Sequence, residues 1–178
     1  IVIVSNNESG SEVVYMLKKP IGIGIESYKD MMDGSYYYVD KTLMIKDLLD
    51  YGSKVELFTR PRRFGKTLTL SMIRTFFERE LASDGSVVDN RHYFAGRKIM
   101  DEGDRYLEHM GKYPVISMSL KSAKQPDFYT AYTLLCRQIA GEYKRHGYML
   151  LGDALSEAEK QRYQAIVDLE KDTTLYVD

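Results

Sequence analysis

Cysteine is nearly missing. A single residue, Cys136, in a chain of 178 excludes an intramolecular disulfide framework and points to a reducing compartment, the cytoplasm. Long apolar runs are missing too: none approaches the roughly 20 residues of a membrane span, so no membrane partner is expected. Residues 1–4 are too short for a signal-peptide core and there is no initiator Met, so the start is expected to be processed, trimmed or artificial. A surplus of one charge sign is absent as well. A net charge of -1 gives no bulk drive toward nucleic acid or acidic membranes, so local clusters must carry any such role. His92, His109 and His146 are scattered, none with a partner at ligand spacing, which leaves no metal constellation. No G-x-S-x-G element and no Cys–His arrangement stands out. Trp is absent and Tyr abundant, with no functional implication. What remains is a chain long enough for one domain or most of one, and apolar enough, at 44% hydrophobic residues, for a packed core.

One stretch organises the rest: Leu57, Phe58, Thr59, Arg60, Pro61, Arg62, Arg63, Phe64, Gly65, Lys66, Thr67. A phosphate-binding loop is written G-x-x-x-x-G-K-[ST], and Gly65, Lys66 and Thr67 supply its second half. Arg60 stands where the first glycine belongs. The chemistry still fits. A loop entering a helix aims unpaired N–H groups above the helix N-terminus. Gly65, without a Cβ, lets main chain approach a phosphate closely. Lys66 can reach the β- and γ-phosphates of ATP, and Thr67 can offer its hydroxyl to Mg²⁺. Arg60, Arg62 and Arg63 add positive charge. The residues assigned to phosphate binding are Arg62, Arg63, Phe64, Gly65, Lys66, Thr67 and Leu68. The flanks agree: Val55, Leu57 and Phe58 interleaved with Lys54, Glu56 and Thr59 predict a strand, and Leu68, Met72, Ile73, Phe76, Phe77 and Leu81 recur at helical spacing. The competing reading is a basic surface turn before an ordinary amphipathic helix.

Along the chain, residues 1–18 are weakly patterned and read as a tail. A short helical segment is predicted over 27–32, with a turn at Asp33-Gly34. Tyr36, Tyr37, Tyr38 and Val39 form an apolar run ending at Asp40, a good N-cap for a helix carrying Leu43, Met44, Ile45, Leu48 and Leu49 and stopped by Gly52. Such an upstream segment can pack beside an adenine base, which makes Tyr38, Asp40, Lys41 and Arg60 nucleotide-proximal candidates; plain core packing explains the first three equally well. Residues 101–110 predict a helix weakened by Gly103. Residues 115–120 predict a strand with Ile116, Met118 and Leu120 on one face. Residues 128–145 predict a helix with Phe128, Tyr132, Leu135, Cys136, Ile139 and Tyr143 on its apolar stripe. Ser156 to Glu159 is a capping box opening a last helix, with Tyr163, Ile166 and Val167 inward. The strand–helix alternation over 54–120 predicts an α/β fold: a parallel sheet flanked by helices, of P-loop NTPase type, with ligand at the carboxyl end of the first strand.

A P-loop hydrolase also needs a carboxylate at a strand end to hold Mg²⁺ and a group to orient water. Residues 36–40 have the form of such a strand but precede the loop. Asp178 ends another run of that form, with no room behind it. Asp47, Asp50, Glu78 and Glu80 fall on helices and read as solvated faces or local pairs. Catalytic residues therefore stay unassigned.

Three segments together, Tyr36-Tyr37-Tyr38-Val39-Asp40-Lys41-Thr42, Leu57 through Thr67, and Tyr113-Pro114-Val115-Ile116, resemble the predicted AAA-ATPase-like family of bacterial proteins. Pro20-Ile21-Gly22 and Phe94-Ala95-Gly96 are similar to it as well. The resemblance spans about residues 18–170 and accounts for Arg60, since that family's loop carries Arg-Pro-Arg-Arg. It implies an AAA-like P-loop domain binding ATP and Mg²⁺, with residues 1–18 as a tail and 19–178 as the N-terminal portion of the domain, so that the sheet is incomplete. Longer members continue into a strand ending Asp-Glu-Tyr-Asp and many into a restriction-endonuclease-like domain; neither is matched here. The resemblance thus implies ATP binding, leaves hydrolysis by this chain alone in doubt, and points to a fragment or a truncated relative. Two alternatives stand beside it: a non-enzymatic module using Arg60, Arg62, Arg63 and Lys66 on nucleic-acid or other anionic phosphates, and an inert remnant. Self-association through open sheet edges is a further expectation.

Overall fold

The computed structural model describes residues 2–6, 12–16, 19–82 and 84–168. They divide into two packing units, Ile1–Tyr113 and Pro114–Asp178. In the first, strands β1 (Val2–Asn6) and β2 (Glu12–Met16) pair antiparallel, Val2 opposite Met16 and Asn6 opposite Glu12. Helix α1 (Tyr28–Asp33) opens at Ser27, whose hydroxyl accepts the Asp30 N–H at 3.2 Å. Helix α2 (Leu43–Tyr51) stops at Gly52, which adopts the left-handed conformation and returns its N–H to the Leu48 carbonyl. Helix α3 (Lys66–Phe77) follows the basic loop. The region after it is short turns of helix, Arg91–Phe94 and Lys98–Asp101, then α4 (Asp104–Leu107). The single helix expected over 101–110 is thus broken at Gly103, whose φ of 96° no helix admits.

The core of this unit is Tyr28, Ile45, Met72, Phe76, Phe94, Ile99 and Tyr106. Phe94 is its hub, with its ring centroid 5.1 Å from that of Tyr28 and 5.4 Å from that of Phe76. It thereby joins α1 to α3 through aromatic faces and edges. One side of α3, carrying Thr69, Met72, Thr75 and Phe76, is buried in this cluster, and that burial fixes where its N-terminus emerges.

The parallel sheet and the α/β, P-loop NTPase-type architecture predicted from the sequence are not what the described residues form. The described residues are mostly helical. Their ladder is the antiparallel β1–β2 pair, and beyond it only isolated bridges join Glu78 to Tyr113 and Leu81 to Val87. Residues 54–59 and 115–120, the two predicted parallel strands, have no ladder partners, and Leu120 opens a short turn of helix, Leu120–Ala123. Alternation marks a half-buried strand only if a neighbour supplies hydrogen bonds and a layer covers the apolar face. Neither condition holds: Val55 and Leu57 are 85% and 82% exposed, and Ile116 and Leu120 are 68% and 70% exposed.

The second unit is built on α5 (Phe128–Arg145) and α6 (Glu157–Asp168). Asp127 caps α5 by accepting the Thr130 N–H at 2.8 Å. The Ser156 capping box forms: the Glu159 carboxylate accepts from Ser156 N–H at 2.8 Å, and the Ser156 hydroxyl oxygen accepts the Glu159 N–H at 3.4 Å. Tyr143 and Tyr163 pack ring to ring at 4.7 Å, and the Tyr163 hydroxyl donates to the Tyr143 carbonyl. Cys136 sits half-buried on the inner stripe of α5, as a small apolar residue would. An apolar cleft of about 390 Å³ opens between Ile116, Ile139, Met149 and Tyr163, within this unit and without any of the predicted site residues. Among the described residues no helix is long and apolar enough to cross a membrane.

Candidate phosphate-binding loop

Residues 59–64 run exposed into α3. Arg63 has φ 68° and Gly65 φ 72°, so two left-handed residues within one turn swing the chain onto the helix axis. Gly65 adopts that conformation freely; Arg63 holds it at a cost of roughly 1 kcal/mol. The first hydrogen bond of α3 is from the Thr69 N–H to the Gly65 carbonyl at 2.8 Å, and no side chain caps the end. The N–H groups of Lys66, Thr67 and Leu68 consequently have no acceptor among the described residues. The helix dipole adds to the positive potential there.

The ammonium groups near this end are held by main-chain oxygens rather than carboxylates. Lys66 Nζ donates to the carbonyls of Arg60, at 2.5 Å, and Pro61, at 3.1 Å. Lys41 Nζ donates to the Phe64 carbonyl at 3.0 Å. Arg60 turns one guanidinium N–H back to the Thr59 carbonyl at 2.7 Å. Among the described residues none of Lys41, Arg60, Arg62, Arg63 and Lys66 pairs with a carboxylate. Thr67 is exposed, and its hydroxyl makes no hydrogen bond among the described residues. Lone donors, free ammonium capacity and an unengaged hydroxyl are the donor set a magnesium–nucleotide phosphate chain needs.

The upstream candidates separate. Lys41 lies against the loop. Asp40 does not face it and is not the N-cap of α2, a position held by Thr42. Its Oδ1 accepts the Thr42 N–H at 2.9 Å and the Thr42 hydroxyl at 2.7 Å, and its Oδ2 accepts the Lys98 N–H at 3.0 Å. Burial pushes the Asp40 carboxyl upward, but the Lys98 N–H and both Thr42 donors, with the Arg97 charge, outweigh it and hold the group below the usual aspartate range. Tyr38 packs its ring 5.3 Å from Tyr28, under the Arg97 guanidinium, and burial raises its phenol to about 12. Core packing thus accounts for Tyr38.

Of the other carboxylates weighed, Glu78, Glu80 and Asp50 are engaged away from the loop, and Asp47 is exposed on α2. Glu78, which the sequence left on a solvated face or in a local pair, is buried and bonded to Arg74 at 2.7 Å. Glu80 accepts from Lys29 and from Asn90, and Asp50 accepts from the Tyr106 hydroxyl. Asp178 lies outside the described residues, among which no group of His, Cys, Asp and Glu could hold a metal ion by itself. No local pattern marks Thr42, fully buried, as the acceptor of the Ile99 N–H at 3.2 Å, a bond that ties α2 to the 98–101 turn. Nothing local in the sequence pairs Lys41 with Phe64, 23 positions apart.

A family model described as Predicted AAA-ATPase matches residues 22–175. The chain belongs to this AAA-ATPase-like family. It is also similar to an "Uncharacterized protein in vnfD 5'region" of Azotobacter chroococcum mcd 1, with 33% identity over 105 residues. That match takes in 58% of this chain and 17% of the relative, so the chain spans a minor part of the relative's length. No solved structure matches.

Proposed function

We propose that residues 60–67 and the N-terminus of α3 bind the phosphate chain of ATP together with Mg²⁺. The observation that carries this reading is the unpartnered N–H row of Lys66, Thr67 and Leu68 beside a Lys66 ammonium resting on the Arg60 and Pro61 carbonyls. Those carbonyls are replaceable acceptors: an incoming phosphate oxygen is a stronger one, being charged. Arg62 and Arg63 raise the local potential, and Gly65 leaves room for close approach. Thr67 would offer its hydroxyl to Mg²⁺, which would supply charge neutralisation of the phosphates. Hydrolysis is a separate matter. The loop's hydrogen bonds reach no carboxylate among the described residues, and with none held there to orient water the reading these residues support is slow turnover of ATP.

The test is calorimetric titration of ATP, ADP and adenosine with Mg²⁺. ATP and ADP bind and adenosine does not. Lys66→Ala removes a charge-assisted contact of about 1.5–3 kcal/mol, a loss of roughly tenfold to a hundredfold in affinity. Equal ATP affinity in both proteins refutes the assignment. Salt-sensitive binding of single- or double-stranded DNA that ATP does not displace transfers the loop to the nucleic-acid reading instead.

A further inference from the structure

Lys41 is the one side chain outside the loop that donates a hydrogen bond into it among the described residues, and it does so at a particular peptide. Its Nζ donates to the Phe64 carbonyl at 3.0 Å. The Phe64 carbonyl and the Gly65 N–H belong to one planar trans peptide, in which C=O and N–H point in opposite directions. Holding the oxygen therefore holds the N–H. The peptide between Phe64 and Gly65 sits between left-handed Arg63 and left-handed Gly65, where glycine imposes little of its own preference. An external clamp is what such a peptide needs in order to keep one orientation.

Lys41 can act as that clamp because its own backbone is fixed. It stands between Asp40, which accepts three hydrogen bonds from Thr42 and Lys98, and Thr42, which is buried and bonded to Ile99. The Met44 N–H closes on the Lys41 carbonyl at 3.0 Å, so Lys41 opens the turn that leads into α2. A Cβ placed on Gly65 would lie 3.5 Å from Lys41 Nζ, an ordinary contact distance, so the ammonium lies beside Gly65 without crowding it.

Resting on the phosphate-binding reading above, we infer that Lys41 is a positioning residue of the loop: it fixes the peptide between Phe64 and Gly65 so that the Gly65 N–H joins those of Lys66, Thr67 and Leu68 in facing the nucleotide phosphates. The clamp acts on the phosphate chain and leaves the base and sugar alone. It connects the Tyr38–Thr42 segment to the nucleotide without contact between that segment's carboxylate and the ligand.

The experiment measures Kd for Mg-ATP and Mg-ADP, with the unliganded thermal midpoint, for the 178-residue chain and its Lys41→Met, Lys41→Arg and Lys66→Ala variants. Lys41→Met, which keeps the stem and drops the donor, weakens both nucleotides by about threefold to tenfold. Lys41→Arg, which keeps a donor, restores most of the affinity. Both leave the unliganded midpoint close to that of the parent chain, because the ammonium is at the surface of the loop. If Lys66→Ala weakens ATP while Lys41→Met does not, the clamp is wrong and the phosphate reading stands. If neither change affects binding, or nothing binds, both readings fall. If Lys41→Met lowers the midpoint by several degrees and Lys41→Arg recovers neither stability nor affinity, Lys41 is a structural residue and the clamp is again wrong.

Discussion

Replacing Asp40 by Asn isolates one carboxylate oxygen. In the native chain Oδ1 serves the two Thr42 donors and Oδ2 serves the Lys98 N–H. Asparagine has one oxygen and one NH₂. If its oxygen keeps Thr42, its NH₂ faces the Lys98 N–H, donor against donor. If it flips, the Thr42 pair suffers the same opposition. At least one charge-assisted hydrogen bond is lost either way, and the partial exposure of Asp40 reduces the worth of one from the usual 1.5–3 to about 1–2 kcal/mol. At roughly 2–4 °C per kcal/mol for a chain of this size, the midpoint falls by about 2–8 °C at neutral pH. The sign with pH is fixed by linkage. The Asp40 carboxyl lies below its ordinary range in the folded chain. Its stabilisation is therefore complete above the unfolded carboxyl pKa, about 4, and disappears as pH falls through the lower folded value. The two proteins should differ at pH 7 and converge below about pH 4. With no Trp and 15 Tyr, tyrosine near-ultraviolet dichroism follows the melt, and Asp47→Asn, an exposed carboxylate on α2, serves as the control. Equal midpoints at pH 7, or a gap that ignores pH, would refute the assigned network.

Neighbouring residues after α1 should respond with opposite signs. Gly34→Ala puts a Cβ 2.1 Å from the Tyr36 ring and costs about 1–3 kcal/mol, whereas Ser35→Gly relieves a φ of 51° and gains about 0.5–1 kcal/mol in chemical denaturation; same-sign changes refute this geometry. Phe94→Ala empties the hub between Tyr28 and Phe76 and lowers stability by about 3–5 kcal/mol; a loss under about 1 kcal/mol shows that the aromatic core is not packed this way. Steady-state phosphate release from Mg-ATP should be far below ordinary enzyme speed, and turnover on the order of 1 per second that Lys66→Ala abolishes sinks the proposal of slow hydrolysis.

The parts of the fold that the sequence made legible are those written in local chemistry. The apolar stripe of α5 has a period that only a helix uses, and the helix found, Phe128–Arg145, keeps the expected bounds. The Ser156–Glu159 box and Gly52 are stop and start signals whose partners lie within four residues. Residues 54–59 and 115–120 carried an equally clear period of two, yet neither became a strand. Alternation reports what a side-chain row could bury and says nothing about whether a neighbouring strand is there. Gly34 was legible as a turn residue, but Ser35 rather than Gly34, at φ -75°, takes the left-handed position, and the glycine is needed because the Tyr36 ring lies on it. At the candidate site, Gly65, Lys66 and Thr67 form a recognisable local motif at the helix start. The Asp40 network and the Lys41–Phe64 contact rest on encounters between distant segments, which no local pattern announces.

The two ends of α3 are unlike in one further respect. At its far end the Gly111 N–H answers the Phe76 carbonyl at 2.8 Å, and the Lys112 and Tyr113 N–H groups answer that of Phe77 at 3.1 and 2.9 Å. Those amides surrender their protons to deuterated solvent only when the helix end opens. The amides of Lys66, Thr67 and Leu68 have no acceptor to leave among the described residues and should exchange near the rate of a free peptide. A phosphate seated on the loop would thus announce itself in time rather than in shape: three fast amides slow down at one end of a twelve-residue helix, while the clock at the other end keeps its rate.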